Sequence, residues 1–243
     1  MSKIPKKPED IFPVIIADCQ AVFGDELLSI ILYGSGAGTD YLPGKSDLNF
    51  MITLTEQGIE SLENAMEIVK RWLKSAVALP LFFTPSYISG SLDSYPVEFL
   101  NIKHRYKLVY GEDMLAPLSF DNKYVRLQIE RELRGKLLHL RTGWLATEGK
   151  PKKIRELIGL SLTSFISLFS ALLYMKGIEI PNNKRDIITA AGDAFGFNAH
   201  VFLNCEDVRR GADHFSAAEI KTLFQNYLLS VGRLCKQIDR LEM

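Results

Sequence analysis

Short apolar runs alternate with helix-period segments over the first half of the chain. Apolar positions recur at helical spacing over 9–23 and over 55–77, so both segments are predicted to be helical. One strand is predicted to end at Tyr33, a second to begin at Asp47, and a third to cover 78–83. The order strand, strand, helix, strand predicts a sheet with a crossover helix.

The segment that follows this sheet alternates polar and apolar residues once more. Residues 84–94 are rich in Pro, Ser and Gly, and residues 96–102 then alternate as a half-buried strand does. This pattern places Glu98 near the start of a strand. Residues 106–110 and the turn at Gly111 close this half of the chain.

From about Asp121 onward the pattern is helical throughout. Breaks that contain Pro, Asn or Gly separate the helix-period segments 123–147, 153–176, 185–195, 199–210 and 216–240. A strand-rich half followed by a helix-rich half predicts two domains. We expect an α+β domain over residues 1–117 and an all-α helical bundle over residues 118–243.

Composition and charge favour a soluble protein with a small or local ligand. Lys plus Arg and Asp plus Glu both number 29 in 243 residues, so no overall charge attracts the chain to nucleic acid or to a membrane. The three cysteines lack metal-ligand spacing and favour a reducing compartment. No apolar signal region follows the basic first residues, which predicts a cytoplasmic protein. Ser and Thr interrupt the apolar run 157–173, which favours a buried helix over a membrane span.

A Gly-Ser turn and a carboxylate lie at the ends of the first two predicted strands. Gly34 and Ser35 follow the first strand, and Asp47 and Asn49 occupy alternate positions at the start of the second. Such a turn presents backbone N–H groups and a hydroxyl to an anion, and a carboxylate between buried neighbours is rigid enough to bind a cation. The pattern therefore indicates a phosphate-and-metal site, which Asp40 in the intervening loop is placed to face.

These residues carry a resemblance to a known family. Gly34-Ser35, eleven intervening residues and then Asp47-Leu48-Asn49 resemble the signature of the DNA polymerase beta-like nucleotidyltransferases. The likeness is to their minimal and aminoglycoside-modifying branches, in which a Gly-Ser pair precedes Asp-x-Asp or Asp-x-Glu. The chain departs from that pattern at Asn49, where the family has its second carboxylate.

The resemblance implies a nucleotidyltransferase-like mixed sheet and a metal-dependent reaction. A nucleoside monophosphate would pass from an NTP, with ATP favoured, to a hydroxyl of a small molecule or protein. Two divalent cations, Mg²⁺ or Mn²⁺, would activate the hydroxyl and stabilise the leaving pyrophosphate. Their ligands and the catalytic residues would be Asp47, Asn49 and, from a strand beside that pair, Glu98.

The resemblance also implies which residues bind the triphosphate. Gly34 would allow close approach of the backbone, and Ser35 would donate its hydroxyl. Basic side chains of a helix in the second domain would assist, the candidates being Arg131, Arg134 and Lys136. Ion pairs with neighbouring glutamates are the alternative explanation of these charges.

Two functions stay open because of Asn49. The first is nucleotidyl transfer to an unidentified hydroxyl acceptor. The second is a catalytically impaired nucleotide-binding or interaction module on the same scaffold, since an amide in place of a carboxylate removes one negative charge from the metal site. Neither hypothesis requires nucleic acid or a membrane, and a homo-oligomer is compatible with both.

Overall fold

The computed structural model describes residues 4–38, 41–44, 46–212 and 214–241. The chain divides into two compact units, Met1–Phe120 and Asp121–Met243, which we call the N-terminal and the C-terminal unit. The N-terminal unit is a mixed sheet with helices, and the C-terminal unit is helical over its described residues.

The N-terminal unit is built on a sheet of four strands in the order β3-β2-β1-β4. The strands are β1 (Leu27–Tyr33), β2 (Asn49–Leu54), β3 (Leu81–Phe83) and β4 (Tyr106–Gly111). Strand β1 is antiparallel to β2 and to β4, whereas β2 is parallel to β3. The predicted strand ending at Tyr33 is confirmed, and the strand predicted from Asp47 begins two residues later at Asn49.

Two helical segments cover the first face of this sheet. They are α1 (Phe12–Phe23) and α2 (Met66–Trp72), the latter flanked by the 3₁₀ segments Gly58–Ala65 and Leu73–Ser75. Their apolar side chains pack on the alternate strand residues Ile30, Leu32, Phe50, Ile52 and Leu54. Both helices are therefore where the helical period predicts them.

The second face carries the remaining alternate residues of β1 and β2. Tyr33 pairs with Asn49, Ile31 with Met51, and Ser29 with Thr53. Partners in register point to the same side of a sheet. The start of β2 thus presents Asn49 on the face opposite α1 and α2.

Two short helices lie between β3 and β4, where the sequence predicts a strand. They are α3 (Pro85–Gly90) and α4 (Pro96–His104). Phe99 of α4 packs against Phe83 of β3, with 5.5 Å between ring centroids. The strand prediction for 96–102 is wrong. Val97, Phe99, Leu100 and Ile102 are all buried in α4, and this order of apolar and polar residues fits a short helix as well as an alternating strand.

The C-terminal unit contains the predicted helices, and their boundaries follow ordinary capping. Side chains of Asp121, Asn183 and Asn198 cap three of them, and Ser216 forms a capping box with Glu219. Buried aromatic rings, among them Phe165, Phe169, Phe202 and Tyr227, form the centre of the bundle. The helices are α5 (Asn122–Ala146), α6 (Pro151–Met175), α7 (Lys184–Phe195), α8 (Ala199–Arg209) and α9 (Ala217–Asp239).

One helix within the described ranges, α6, is long and apolar enough to cross a membrane by length and composition. It contributes Ile158, Leu162, Phe165 and Phe169 to the interior of the bundle. The three cysteines are buried free thiols. Burial raises the pKa of Cys19 to about 12, which keeps this thiol protonated and unreactive at neutral pH.

Candidate functional site

The glycine-rich turn after β1 begins with a constrained backbone. Gly34 has φ of +75°, and its N–H donates to the carbonyl oxygen of Arg105 at 2.9 Å. The next residues, Gly34–Ala37, form one 3₁₀ turn. A Cβ atom on Gly36 would lie 2.8 Å from Cδ2 of Leu48, so only glycine fits there without displacing the core. The turn is therefore packed directly on the start of the second strand.

The segment that carries the predicted metal ligands is held by main-chain hydrogen bonds. Leu48 is buried, its N–H donates to Ala76 at 2.8 Å, and its carbonyl accepts from Ala78 at 3.0 Å. Asp47 and Asn49 flank Leu48 at alternate positions, Asp47 exposed and Asn49 half-buried. The spacing thus holds a carboxylate and an amide beside each other, as the sequence predicts.

Asn49 also lies beside the glycine-rich turn. Its Nδ2 atom is 3.6 Å from the position that a Cβ atom on Gly34 would occupy, and it donates to the carbonyl oxygen of Asp47 at 3.5 Å. The side chain therefore presents N–H groups toward the turn. These N–H groups can donate to an anion, whereas the uncharged Oδ1 of the same amide is a weaker cation ligand than a carboxylate.

Glu98 is not on a strand beside this pair, so that part of the prediction is corrected. It lies in the first turn of α4 and is exposed. Arg105, which contacts the glycine-rich turn, is seven residues further on, about 10 Å along a helix axis. The role of Glu98 as a metal ligand now rests on the resemblance alone and stays a prediction.

The strand beside β2 is β3, and it carries no acid on the face that presents Asn49. Its residue Leu81 is in register with Met51, which is on the same face as Asn49 but two residues further along β2. Leu81 is 37% exposed, so its side chain is open to solvent. The local sequence pattern does not reveal this neighbour, because the register of a parallel strand pair depends on tertiary structure.

The donor set does not fit a centre of two divalent cations. Such a centre needs several carboxylate oxygens around each ion. Within the described ranges no group of three or more His, Cys, Asp or Glu side chains could hold a metal ion. Of the predicted ligands Asp47, Asn49 and Glu98, Asp47 is the one carboxylate at the start of β2, Asn49 beside it is an amide, and Glu98 lies on α4. Asp40 lies outside the described residues.

Arg105 is a residue of the site that sequence analysis did not identify. A Cβ atom on Gly38 would lie 3.0 Å from the Cδ and Nε atoms of Arg105 and 3.1 Å from its Cζ atom. The guanidinium therefore packs against the end of the glycine-rich turn. The signal in the sequence that could have identified Arg105 is its position directly before residues 106–110. This segment lies in β4, which pairs with β1.

Two tyrosines flank the second face near the turn. Burial raises the pKa of Tyr33, so its hydroxyl is protonated at neutral pH. The pKa of Tyr106 is raised by burial and by the hydrogen bond in which its hydroxyl donates to Asp113 at 2.9 Å. Both groups are neutral hydrogen-bonding partners at this edge.

The basic candidates of the C-terminal unit lie on α5. Arg134 pairs with Glu130 at 3.0 Å and with Asp239 at 2.8 Å, and Lys136 pairs with Glu132 at 3.3 Å. Arg131 is exposed. The ion pairs account for Arg134 and Lys136, and the role of all three in phosphate binding stays a prediction.

The sheet, its crossover helix and the helical C-terminal unit define a nucleotidyltransferase fold. The chain is similar to the crystal structure of spectinomycin adenyltransferase AAD(9) from Enterococcus faecialis with ATP and spectinomycin. The TM-score is 0.55 and the sequence identity 13%, over 96% of this chain and 99% of that chain. Comparisons with protein-family models and with curated proteins gave no match. The predicted fold class is thus confirmed. A shared fold does not establish a function, which depends on the residues of the site.

Proposed function

We propose that the N-terminal unit binds a nucleoside triphosphate, with ATP favoured, at the Gly34–Gly38 turn. The support is the packing of this turn against Asn49, with the Ser35 hydroxyl and the Asn49 amide both available as donors to phosphate oxygens. The similar adenyltransferase was solved with ATP on the same fold.

We further propose that binding, and not efficient nucleotidyl transfer, is the function of this site. The observation that carries this proposal is Asn49 at the start of β2, an amide at the position where the resembled pattern has its second carboxylate. Transfer on this scaffold requires charge that neutralises the reacting phosphates and a group that accepts the proton of the acceptor hydroxyl. Among the described residues of this site, the Asp47 carboxylate is the one group that could accept this proton.

The alternative proposal is transfer of a nucleoside monophosphate to the hydroxyl of a small molecule. It is favoured by the extent of the likeness, which covers both units of this chain and nearly all of the spectinomycin adenyltransferase. In this case Asp47 would orient the acceptor hydroxyl, and an aminocyclitol or another polyhydroxylated amine would be the acceptor.

One pair of assays on the full chain separates these proposals. Calorimetric titration with ATP in the presence of Mg²⁺ measures binding, and pyrophosphate release with spectinomycin or aminoglycosides measures transfer. We expect saturable binding of one ATP per chain and pyrophosphate release at background. Ser35→Ala should weaken ATP binding by about tenfold, because one hydrogen bond to a charged oxygen is lost. Acceptor-dependent pyrophosphate release would instead support the transferase.

A further inference from the structure

The described residues at the glycine-rich turn carry one positive and one negative charge, whereas a metal-binding site is lined by carboxylates. They are the Arg105 guanidinium against Gly38, the Asp47 carboxylate, and the neutral Asn49 amide and Ser35 hydroxyl. A site with three carboxylates attracts cations and binds a nucleotide only through them. Here the cation at the turn is part of the protein.

Arg105 has the geometry to bind phosphate directly. Its main chain is fixed at the turn, because its carbonyl accepts the Gly34 N–H at 2.9 Å and β4 begins at the next residue. The side chain is half-buried and lies along Gly38, which is exposed. A guanidinium offers five N–H donors in a planar fork, so it can hold a phosphate while contacting other groups.

We propose that Arg105 replaces the divalent cation of this site, so that the triphosphate of a nucleotide binds at the Gly34–Gly38 turn without Mg²⁺. This inference rests on the proposed binding of a nucleoside triphosphate and names the residue and the charge that achieve it. Because phosphate oxygens are recognised by their charge, inorganic triphosphate should compete with ATP for the site.

Two variants test the charge and the position of Arg105 separately. Arg105→Gln removes the charge, with Arg105→Lys as the conservative variant that keeps it without the fork. Gly38→Ala keeps the charge and shifts the guanidinium by a few tenths of an ångström, because the new Cβ would lie 3.0 Å from Nε. Gly38 has φ of −122°, which any residue adopts, so this variant should fold normally. Arg71→Gln is the control, since Arg71 is an exposed arginine paired with Asp18 on the other face of the sheet.

The experiment is calorimetric titration of the full chain with ATP, once in EDTA and once with Mg²⁺. We expect similar affinities in both buffers, a loss of about tenfold or more in Arg105→Gln, a smaller loss in Arg105→Lys, and no change in Arg71→Gln. Gly38→Ala should also bind more weakly in EDTA. Thermal unfolding of each variant checks its fold. If Arg105→Gln does not fold, the ATP affinity of Gly38→Ala in EDTA tests the inference in its place.

Three results would overturn the inference. ATP binding only with Mg²⁺ would refute it and leave nucleotide binding standing. Equal affinities of Arg105→Gln and Arg71→Gln in EDTA would refute the role of Arg105 alone. Absence of ATP binding in both buffers would refute the proposed function together with the inference.

Discussion

The N–H of Gly34 donates to the carbonyl oxygen of Arg105 at 2.9 Å, so the first donor of the glycine-rich turn is used within the protein. This hydrogen bond joins the end of β1 to the start of β4. Gly34 therefore serves the site through its backbone conformation, and phosphate donors must come from the residues that follow it.

Gly34→Ala should lower the free energy of unfolding without abolishing ATP binding. The backbone at φ of +75° is unfavourable for alanine by about 1–2 kcal/mol. The added Cβ would make only an ordinary contact of 3.6 Å with Asn49. Urea unfolding and ATP titration measure the two effects. Loss of binding with unchanged stability would show instead that the side chain blocks approach of the nucleotide.

A carboxylate at residue 49 should strengthen binding of a divalent cation. In Asn49→Asp, the new carboxylate and Asp47 would lie at alternate positions, close enough for their charges to attract a dication. We expect Mn²⁺ affinity, measured by calorimetry, to rise by about tenfold or more. Leu73→Glu is the control with equal charge, since Leu73 is exposed and follows α2 on the other face. Equal Mn²⁺ affinity in both variants would refute the shared face of residues 47 and 49.

Thr53→Val should stabilise the N-terminal unit. Thr53 and its cross-strand partner Ser29 are buried, and within the described ranges their hydroxyl oxygens have no hydrogen-bond partner. Replacing an unsatisfied buried hydroxyl by a methyl group of similar shape should add about 1 kcal/mol to the free energy of unfolding.

Thr84→Val provides the matched control for that change. The Thr84 hydroxyl accepts the N–H of Tyr87 at 3.2 Å as the N-cap of α3. This variant should therefore lose about 1 kcal/mol in the same urea experiment. A destabilised Thr53→Val would indicate that its hydroxyl binds a group such as a buried water.

The C-terminal unit should lose stability in acid through Glu206. Burial raises the pKa of this carboxyl, but hydrogen bonds from Arg209 and Arg210 lower it more, so that it lies below the ordinary 4.5. The stabilisation is present above the unfolded value of 4.5 and is lost as the pH falls through the folded pKa.

Glu206→Gln tests this dependence. We expect a loss of about 2 kcal/mol at neutral pH and a flatter fall of stability below about pH 4.5, because the buried carboxylate is bonded to both arginines. Asp207→Asn breaks the more exposed pair with Arg185 and should cost at most about 1 kcal/mol. Equal effects of both variants, measured by urea unfolding at several pH values, would contradict the assignment.

Much of the fold can be predicted from the spacing of apolar residues along the sequence alone. The strand before Gly34, the helices on the first face and the long helices of the C-terminal unit all have unambiguous patterns. Helix α4 was not predicted correctly because its nine residues bury nearly every apolar side chain. The missed signals were the prolines at the first helical position of α3 and α4, where proline is favoured.

The candidate site was predictable only where it is local in sequence. Asp47 and Asn49 lie two residues apart where β2 begins, so their common face follows from the period of an extended chain. Arg105 reaches the site because β4, which begins at the next residue, pairs with β1, and this pairing depends on tertiary register. The expectation that Glu98 lies on a strand failed at this step, because α4 forms there.

Titration of the full chain with ATP tests the central claim most directly. The claim is that the turn after β1, with the donors of Ser35 and Asn49, is a nucleotide site in which Asn49 stands where the resembled pattern has a metal-binding carboxylate. Calorimetry should show saturable binding of one ATP per chain that Ser35→Ala weakens. Absence of heat at millimolar ATP, or binding that Ser35→Ala leaves unchanged, would contradict the claim.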